Sequence, residues 1–301
     1  MNAGISAGRW IDGLERRWMA RRRRDLGGGM RIVEAGGARL RVRVWGRGEP
    51  TLVFAADPPN VIEHHFEVAE ALAARHRVVC FELPGFGFST APTGFDFSIA
   101  ANARVVGALL DELGLAPYAL ALACVSGLVG AKVAQSRPDI VSHFIGVQTA
   151  GVAGMKAWAR RVDRGVLRRE GIGQAIVLAT RKRLARGWFD VALADPARRD
   201  TFVALVAAAF DAGATYPLAS ALQALGRLDA VLRPTQPTRL VWGSRDPTHR
   251  RTARDELSPG ARVVALESAG HFPDLEDVAG FVGAVEAFLG PRVVLYGDGP
   301  P

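Results

Sequence analysis

From Met30 onward the chain alternates short apolar runs with amphipathic segments. The first runs, "MRIVEA", "RLRVRVW" and "TLVFAA", are each followed by glycine or aspartate, which is typical of β-strands closed by turns. Farther along, "RVVCFE", "YALALA" and "SHFIGVQ" alternate with helix-like segments such as "IAANARVVGALLDELG". This alternation predicts strand-helix-strand units in a mainly parallel sheet, which is the α/β fold class.

The alternation stops between Thr149 and about Arg233, where the chain is helix-like and basic. The strands "TRLVWG" and "ARVVALE", with a helix expected between them, and the helix "DVAGFVGAVEAFLG" then restore it. A helical insertion late in a parallel sheet predicts a cap over the C-terminal edges of the strands. The predicted parts are an N-terminal extension (1–29), a core (30–151 and 233–290), the inserted cap (152–232) and a loose tail (291–301).

The N-terminal extension differs in character from the rest. Trp10, Leu14 and Trp18 recur at four-residue spacing, and four consecutive arginines and three glycines follow. A basic amphipathic helix with tryptophans can lie on an anionic membrane surface, so residues 1–24 are a candidate for peripheral membrane contact. A solvated helix packed on the body of the protein explains the same pattern.

Composition narrows the classes of function. The net charge of +8 is carried almost wholly by arginine, without the aromatic or motif context that marks a nucleic-acid binder. No apolar run reaches the roughly 18 residues of a membrane span and no secretory signal is evident, so we expect a cytoplasmic protein. The two cysteines, Cys80 and Cys124, exclude a disulfide framework or a multi-cysteine metal site, and we expect neither metal nor cofactor.

Three residues with catalytic chemistry follow predicted strands. Cys124 lies in "LACVSG", between a strand and a helix, Asp246 in "LVWGSRDP" and His271 in "LESAGHFPDLED". Loops after parallel strands emerge at the same edge of a sheet, where substrates bind. The sequence therefore predicts that a nucleophile, an acid and a base meet at this edge.

The order nucleophile, aspartate, histidine, together with "FELPGFGFST" and "AGHFPDLED", resembles the α/β-hydrolase family over roughly residues 31–290. The resemblance implies an eight-stranded sheet whose second strand is antiparallel, with a helical cap after the sixth strand. It also implies a triad in which Asp246 orients His271 and His271 activates the nucleophile. The acid position that some relatives use after the sixth strand falls near Gln148 and Thr149, where no carboxylate stands.

The register of the nucleophile turn is set by Pro138 and Asp139, the pair that usually closes the following helix in this family. Counting back places Cys124 at the nucleophile and Ser126 at a small-residue position. Ser126 as nucleophile and a chemically silent Cys124 remain as alternatives. Leu122 replaces the family's glycine two residues before the nucleophile, so a distorted turn is expected.

The oxyanion site departs most from the family. Ala55 and Ala56 replace its His-Gly pair, and Asp57 follows them. The backbone N–H groups of Val125 and Asp57 are the implied oxyanion donors. The side chain of Asp57 signals altered chemistry or caps the local turn.

Other polar and aromatic residues have secondary interpretations. Glu63, His64 and His65 are expected at the surface or rim, and His249 at the entrance. Cys80 is expected too far from Cys124 to bridge. The basic cap suits an acyl group carried on coenzyme A or acyl carrier protein. Five cap aromatics are candidates to line an acyl pocket: Trp158, Trp188, Phe189, Phe202 and Phe210. Solvated helix faces and ordinary core packing explain the basic cap and these aromatics equally well.

The predicted function is cleavage of an ester, lactone or thioester through an acyl-cysteine intermediate, ending in hydrolysis or acyl transfer. Dienelactone hydrolases and polyhydroxyalkanoate synthases, which are relatives with cysteine at this position, imply both outcomes. The alternatives are a lyase or decarboxylating enzyme that uses Asp57, and a binding protein of the same fold whose catalysis has been lost. Leu122 and the missing His-Gly pair motivate the second alternative.

Overall fold

The computed structural model describes residues 6–21, 27–163 and 165–290. Eight strands form one sheet in the order β1-β2-β4-β3-β5-β6-β7-β8. Its strands are β1 (Met30–Ala35), β2 (Ala38–Trp45), β3 (Thr51–Ala56), β4 (Val78–Glu82), β5 (Tyr118–Ala123), β6 (Val141–Val147), β7 (Thr238–Gly243) and β8 (Arg262–Leu266). Strand β2 pairs antiparallel with β1 and β4, and the pairs from β4 to β8 are parallel. The predicted α/β-hydrolase sheet is confirmed.

Ten α-helices occur in the described residues. They are α1 (Ala7–Ala20), α2 (Phe66–Ala73), α3 (Ile99–Leu113), α4 (Cys124–Ser136), α5 (Val152–Asp163), α6 (Ile172–Ala192), α7 (Pro196–Asp211), α8 (Leu218–Arg227), α9 (Pro273–Glu276) and α10 (Val278–Leu289). Two short 3-10 helices cover Ile62–His65 and Pro247–His249. None of these helices is both long enough and apolar enough to cross a bilayer.

The central strands are buried along their whole length. Every residue of β3, β4 and β5 is buried, because helices cover both faces of a parallel sheet. Helices α3 and α4 pack together on one face, where α3 contacts β1 and α4 contacts β5 and β6. Helices α2 and α10 pack together on the other, with α10 against β7 and β8. This arrangement fixes the strand ends from which the site loops emerge.

The connection between β7 and β8 differs from the expectation. The sequence predicted a helix there, and the structure has only the 3-10 turn Pro247–His249. Asp246 caps this turn by accepting a hydrogen bond from the Thr248 backbone N–H at 2.7 Å. The carboxylate after β7 is thereby held at the start of the loop.

Four helices, α5 to α8, lie between β6 and β7, where the cap was expected. Helix α1 packs against α6 of this segment. The contact face includes Glu15, which is buried and accepts hydrogen bonds from Arg181 and from the Tyr216 backbone N–H. Trp10 and Trp18 are 57% and 45% exposed. Residues 1–5, 22–26, 164 and 291–301 lie outside the described residues, and with them part of the predicted membrane contact and all of the predicted tail.

Candidate active site

Cys124 lies at the turn between β5 and α4, in the left-handed region of backbone conformation with φ of 49°. A residue other than glycine is strained there, and such strain is concentrated at functional sites. The helix that follows approaches β6 closely, because a Cβ atom on Gly127 would lie 2.1 Å from Thr149 Oγ1. The Thr149 hydroxyl in turn donates to the Cys124 carbonyl at 3.1 Å. The turn therefore has the tight geometry of a nucleophile elbow.

Leu122 fits this turn through a compensating glycine. Its side chain is fully buried. A Cβ atom on Gly130 of α4 would stand 3.3 Å from Leu122 Cβ and 3.0 Å from the Phe144 ring. The missing side chain on α4 supplies the room that the family's glycine supplies on the strand, so the distortion expected from Leu122 is not observed.

Asp246 and His271 form a buried pair. His271 Nδ1 and Asp246 Oδ2 are 2.6 Å apart, and both side chains are almost inaccessible to solvent. The Gln148 side-chain amide donates to the same carboxylate oxygen at 2.7 Å. The backbone N–H and hydroxyl of Thr248 both donate to Oδ1 at 2.7 Å. Each carboxylate oxygen thus accepts two hydrogen bonds.

The charges of this pair support each other. Burial raises the pKa of Asp246, but the His271 charge and hydrogen bonds outweigh it and hold that pKa below its ordinary value. Burial lowers the pKa of His271, but the charge and hydrogen bond of Asp246 outweigh the effect of burial, so the pKa of His271 is raised above its ordinary value. Asp246 is therefore a permanent anion that orients the ring and stabilises its protonated form.

The loop that carries His271 is fastened to the cap. The His271 backbone N–H donates to the Ala192 carbonyl at the end of α6, at 2.8 Å. The Glu276 carboxylate accepts from the backbone N–H groups of Ala194, Gly270 and Phe272 at 2.6 to 3.1 Å. The position of the histidine therefore depends on α6 as well as on the core.

Asp57, Cys124 and His271 come together on the other side of the ring. A carboxylate oxygen, the Sγ atom and a ring nitrogen of these residues all lie within 4.8 Å of one another. His271 Nε2 is buried without a hydrogen-bond partner among the described residues. The structure thus places the predicted nucleophile, the predicted base and the Asp57 side chain in one cluster.

Burial raises the pKa of both acids in this cluster. Burial raises the pKa of Asp57 to about 7, against the His271 charge and hydrogen bonds from Ser126. Burial, and secondarily Asp57, raises the pKa of the Cys124 thiol well above its ordinary value, whereas the Val125 backbone N–H lowers it. Cys124 therefore rests as a thiol, and its attack requires proton transfer to a base.

Ser126 occupies the small-residue position beside the cluster. It is buried, and its hydroxyl donates to the Ala123 carbonyl at 2.5 Å. The other cysteine, Cys80, is on β4, which β3 separates from β5, and both cysteines are free and buried. The prediction that they do not form a disulfide agrees with this arrangement.

A cavity of about 830 Å³ reaches Asp57 and Cys124. Most of its lining is apolar and comes from the cap helices α5, α6 and α8 and from the loop after β4. Four exposed arginines also line it: Arg161, Arg183, Arg250 and Arg251. None of these four forms an ion pair with another residue in the described part of the chain. The cavity suits an apolar group joined to an anionic one.

Trp158 and His249 stack beside His271. The Trp158 ring stacks on His249 at 5.1 Å and on His271 at 5.7 Å between centroids. Its Nε1–H donates to the Thr248 hydroxyl at 2.9 Å. His249 was predicted at the entrance but is 5% exposed, because Trp158 and Trp242 pack against it. The cap thus shields the base through Trp158.

The prediction that His64 and His65 lie at the surface or rim is wrong, and the five candidate pocket aromatics divide into two groups. His64 and His65 are buried rather than at the rim, since His64 packs on Phe202 and bonds its backbone carbonyl, and His65 lies 3.8 Å from Asp274. Glu63 alone is partly exposed, and it pairs with Arg41. Of the five cap aromatics, only Trp158 and Trp188 line the cavity. Phe189 and Phe202 pack against Phe272, and Phe210 against Tyr216.

Sequence reasoning missed three residues that organise the site: Gln148, Thr248 and Trp158 in its stacking role. Gln148 has φ of 49° and holds Asp246 from the end of β6. The only signal was that the alternative acid position carries an amide in place of a carboxylate. Two sets of three residues in the described chain offer donor atoms close enough for one metal ion: Asp57 with Cys124 and His271, and Asp246 with His249 and His271.

A model of the α/β hydrolase fold family matches residues 59–278, and the chain therefore belongs to this family. Haloalkane dehalogenase 2 of Mycobacterium tuberculosis is 29% identical over 244 residues, or 75% of this chain and 83% of the dehalogenase. The pimeloyl-(acyl-carrier protein) methyl ester esterase of Aeromonas hydrophila is 29% identical over 234 residues, or 74% of this chain and 89% of the esterase.

Among solved structures, the enol-lactonase from Burkholderia xenovorans matches with a TM-score of 0.69. Its sequence identity is 22%, and the match covers 86% of this chain and 99% of the lactonase. At this identity the likeness establishes the fold alone. The substrates named for these relatives differ, so the chemistry has to be argued from the site.

Proposed function

We propose that this protein cleaves an ester, lactone or thioester through an acyl-cysteine intermediate on Cys124. The observation that carries the proposal is the elbow cysteine whose Sγ lies within 4.8 Å of a ring nitrogen of His271, while His271 Nδ1 is bound by Asp246 at 2.6 Å. A nucleophile beside a base that a third group orients is the arrangement that covalent acyl transfer needs.

In the proposed reaction, the Cys124 sulfur attacks the acyl carbon as His271 Nε2 takes the thiol proton. The Val125 and Asp57 backbone N–H groups stabilise the oxyanion. The C–O or C–S bond to the leaving group then breaks, and His271 returns the proton to that group. Water, deprotonated by His271, releases the acid and restores the thiol; an alcohol or thiol acceptor in its place gives acyl transfer.

We propose an acyl substrate whose leaving group is anionic, such as an acyl thioester on coenzyme A or acyl carrier protein. The arginines without ion pairs at the cavity, Arg183 and Arg250 among them, support this substrate class. The name of the Aeromonas relative, an esterase for a carrier-bound methyl ester, points to a carrier-bound substrate, although the bond cleaved there is the methyl ester and the carrier is not the leaving group. An Arg183→Gln/Arg250→Gln variant is expected to raise KM for acyl-coenzyme A at least several-fold and to leave KM for neutral p-nitrophenyl esters unchanged.

The first test is intact-protein and peptide mass spectrometry after brief incubation with acyl thioesters and p-nitrophenyl esters. We expect an acyl adduct on the Cys124 peptide in the wild type and in Ser126→Ala, and none in Cys124→Ala. A folded protein that forms no adduct and turns over no acyl donor would overturn the proposal and favour a binding role. Cys80→Ser is the matched control, because Cys80 is the other buried thiol.

The dehalogenase relative does not change this proposal. A haloalkane that alkylated Cys124 would leave a thioether, which water does not cleave. We therefore expect at most one alkylation per chain and no turnover with haloalkanes, measured by halide release. Sustained halide release that survives Cys124→Ala would contradict this expectation.

A second candidate is a lyase or decarboxylating reaction in which Asp57 is the acid or base. The position of its carboxylate within 4.8 Å of both Cys124 Sγ and a His271 ring nitrogen favours it. The two candidates separate in one experiment. Turnover that survives Cys124→Ala but is lost in Asp57→Asn and His271→Ala supports the lyase, and the reverse pattern for Cys124 supports the acyl-cysteine enzyme.

We further propose that the protein acts in the cytoplasm and that residues 1–24 contact an anionic membrane surface. Exposed Trp10 and Trp18 on α1, beside a run of arginines in the sequence, support the contact. Deleting residues 1–28 is expected to abolish co-sedimentation with phosphatidylserine vesicles. Equal sedimentation of the full and shortened chains would contradict it.

A further inference from the structure

The cluster of Asp57, Cys124 and His271 offers three different donor atoms to one point. An oxygen, a sulfur and a nitrogen lie within 4.8 Å of one another, and all three residues are buried. Each comes from the loop after a different parallel strand. Nitrogen, sulfur and carboxylate oxygen are the ligands that Zn²⁺ and similar divalent transition metals take in proteins.

The orientation of His271 matches that of a metal ligand. Asp246 binds Nδ1, and the buried Nε2 has no partner in the described residues. Metal-ligating histidines almost always give their second nitrogen to a carboxylate or carbonyl, which fixes the ring and the tautomer. Gln148 and Thr248 hold Asp246 in turn, so this outer layer is complete.

Distances and charge are compatible with a closed site. Bonds to Zn²⁺ of about 2.0 to 2.3 Å place tetrahedral ligand atoms on the order of 3.5 Å apart, so donors now within 4.8 Å need side-chain movements of about 1 Å. A thiolate and a carboxylate held side by side in a buried site repel each other, and a divalent cation removes that repulsion. Asp57 and Cys124 both line the cavity, which leaves a fourth position open to it.

The alternative set of donors is less suitable. Asp246, His249 and His271 are also within 4.8 Å of one another. Both oxygens of Asp246 are already hydrogen-bonded, and the His249 Nδ1 atom is bonded to the Thr252 hydroxyl. His249 Nε2 has no partner in the described residues, but a metal ion bound through Asp246 would compete with the hydrogen bonds of that carboxylate, including the one that orients His271.

We propose that Asp57, Cys124 and His271 form a binding site for a divalent transition metal ion of the zinc type, and that occupation of this site blocks the acyl-cysteine reaction. Binding replaces the thiol proton of Cys124, which leaves to solvent, and ties up both the nucleophile and His271 Nε2. The blocking rests on the proposed function, whereas the metal site itself does not.

The test is titration of the EDTA-treated, full-length protein with Co²⁺. We expect one ion per chain, with an intense near-ultraviolet thiolate-to-cobalt band and the visible bands of four-coordinate Co²⁺. Cys124→Ser and Cys124→Ala are expected to lose the ultraviolet band, and Asp57→Asn to weaken binding at least tenfold. His249→Asn and Cys80→Ser are controls that are expected to keep both the ultraviolet band and the wild-type affinity for Co²⁺. A band that persists in the Cys124 variants, or affinity equal to wild type in Asp57→Asn, would overturn the site.

Zn²⁺ completes the test. One equivalent of Zn²⁺ is expected to displace Co²⁺ and to slow iodoacetamide labelling and acylation of Cys124 at least tenfold. EDTA is expected to reverse both effects on Cys124. Normal acylation without cobalt binding overturns the metal site and leaves the proposed function standing. Cobalt binding through Cys124 without acylation in the metal-free protein overturns the proposed function alone. Bound Zn²⁺ that leaves acylation unchanged overturns the blocking.

Discussion

The two sides of the His271 ring are built differently. On the Nδ1 side, Asp246 accepts two hydrogen bonds on each carboxylate oxygen and its pKa lies below its ordinary value. On the Nε2 side, the ring has no hydrogen-bond partner in the described chain, and burial raises the pKa of both Asp57 and Cys124. Both sides are buried, so burial alone does not set the charge of a carboxylate; the donors around it do.

The two sides of the ring are suited to different roles, electrostatic stabilisation on the Nδ1 side and proton transfer on the Nε2 side. The Nδ1 side holds a fixed charge in a fixed place before any substrate arrives, which is the electrostatic preorganisation that stabilises developing charge. On the Nε2 side, burial raises the pKa of Asp57 and Cys124, and the ring nitrogen has no hydrogen-bond partner in the described chain, so this side is suited to proton transfer. Variants that remove one side at a time test the distinction.

Asp246→Asn breaks the Nδ1 side most directly. Loss of the charge changes the ring's tautomer and removes the support for its protonated form, so acylation is expected to fall about 10,000-fold. Stopped-flow measurement of the acyl-cysteine burst checks this. Asp274→Asn is the matched control, because it removes a buried carboxyl that is not hydrogen-bonded to His271, and it is expected to lose less than tenfold. Similar losses in both would contradict the role given to Asp246.

Gln148→Leu removes one donor from the same carboxylate. Its amide bonds Asp246 Oδ2 at 2.7 Å, and its carbonyl accepts from the Gly243 backbone N–H at 2.9 Å. We expect kcat to fall roughly 10-fold to 100-fold, as for outer-layer partners of catalytic groups, with KM unchanged because Gln148 does not line the cavity. A rise in KM with unchanged kcat would show that Gln148 acts on substrate binding instead.

Asp57→Asn tests the Nε2 side. It removes a charge that raises the pKa of the neighbouring thiol, so iodoacetamide is expected to label Cys124 several-fold faster at pH 8. Peptide mass spectrometry measures the rate, and Glu63→Gln, a carboxylate paired with Arg41 outside the cluster, serves as control. Equal rates in wild type and Asp57→Asn would mean that Asp57 carries no charge at that pH.

A buried carboxylate outside the site sharpens the comparison. Burial raises the pKa of Glu15 from 4.5 to about 7, against the charge of Arg181. When an acid has a higher pKa in the folded state than in the unfolded state, its contribution to folding stability is fully present below the unfolded-state pKa. That contribution is lost as the pH rises through the folded-state pKa. Docking of α1 is therefore expected to weaken by roughly 3 kcal/mol between pH 4.5 and 8. Hydrogen exchange of α1 measures this. Glu15→Gln is expected to reduce the pH dependence, and Asp12 on the same helix, whose pKa burial raises from 3.8 to about 6, is expected to account for the remainder.

The fold and the juxtaposition of Cys124, Asp246 and His271 could be predicted from the sequence because their signals are local or ordered. Strands such as "YALALA" carry their own apolar pattern, and the Pro138–Asp139 pair fixed the register of Cys124. The chain order of Cys124, Asp246 and His271, each after a predicted strand, indicated that these three residues meet in one place. Sheet topology then brought residues more than 100 positions apart to one edge.

Contacts between distant side chains could not be predicted in this way. The burial of His64 depends on Phe202, and that of His249 on Trp158, and no local pattern encodes either pairing. Room for Leu122 depends on the absence of a side chain at Gly130. Such compensations become visible only when the elements are packed together.

The bond from the His271 backbone N–H to the Ala192 carbonyl has a consequence for how new variants of this protein can arise. The cap is not an exchangeable module, because replacing α6 with a relative's helix would also move His271. Recombination that transfers α6 together with the loop from Gly270 to Glu276 keeps the pair intact. Substrate range is therefore expected to evolve by point changes in the cavity wall rather than by wholesale exchange of caps.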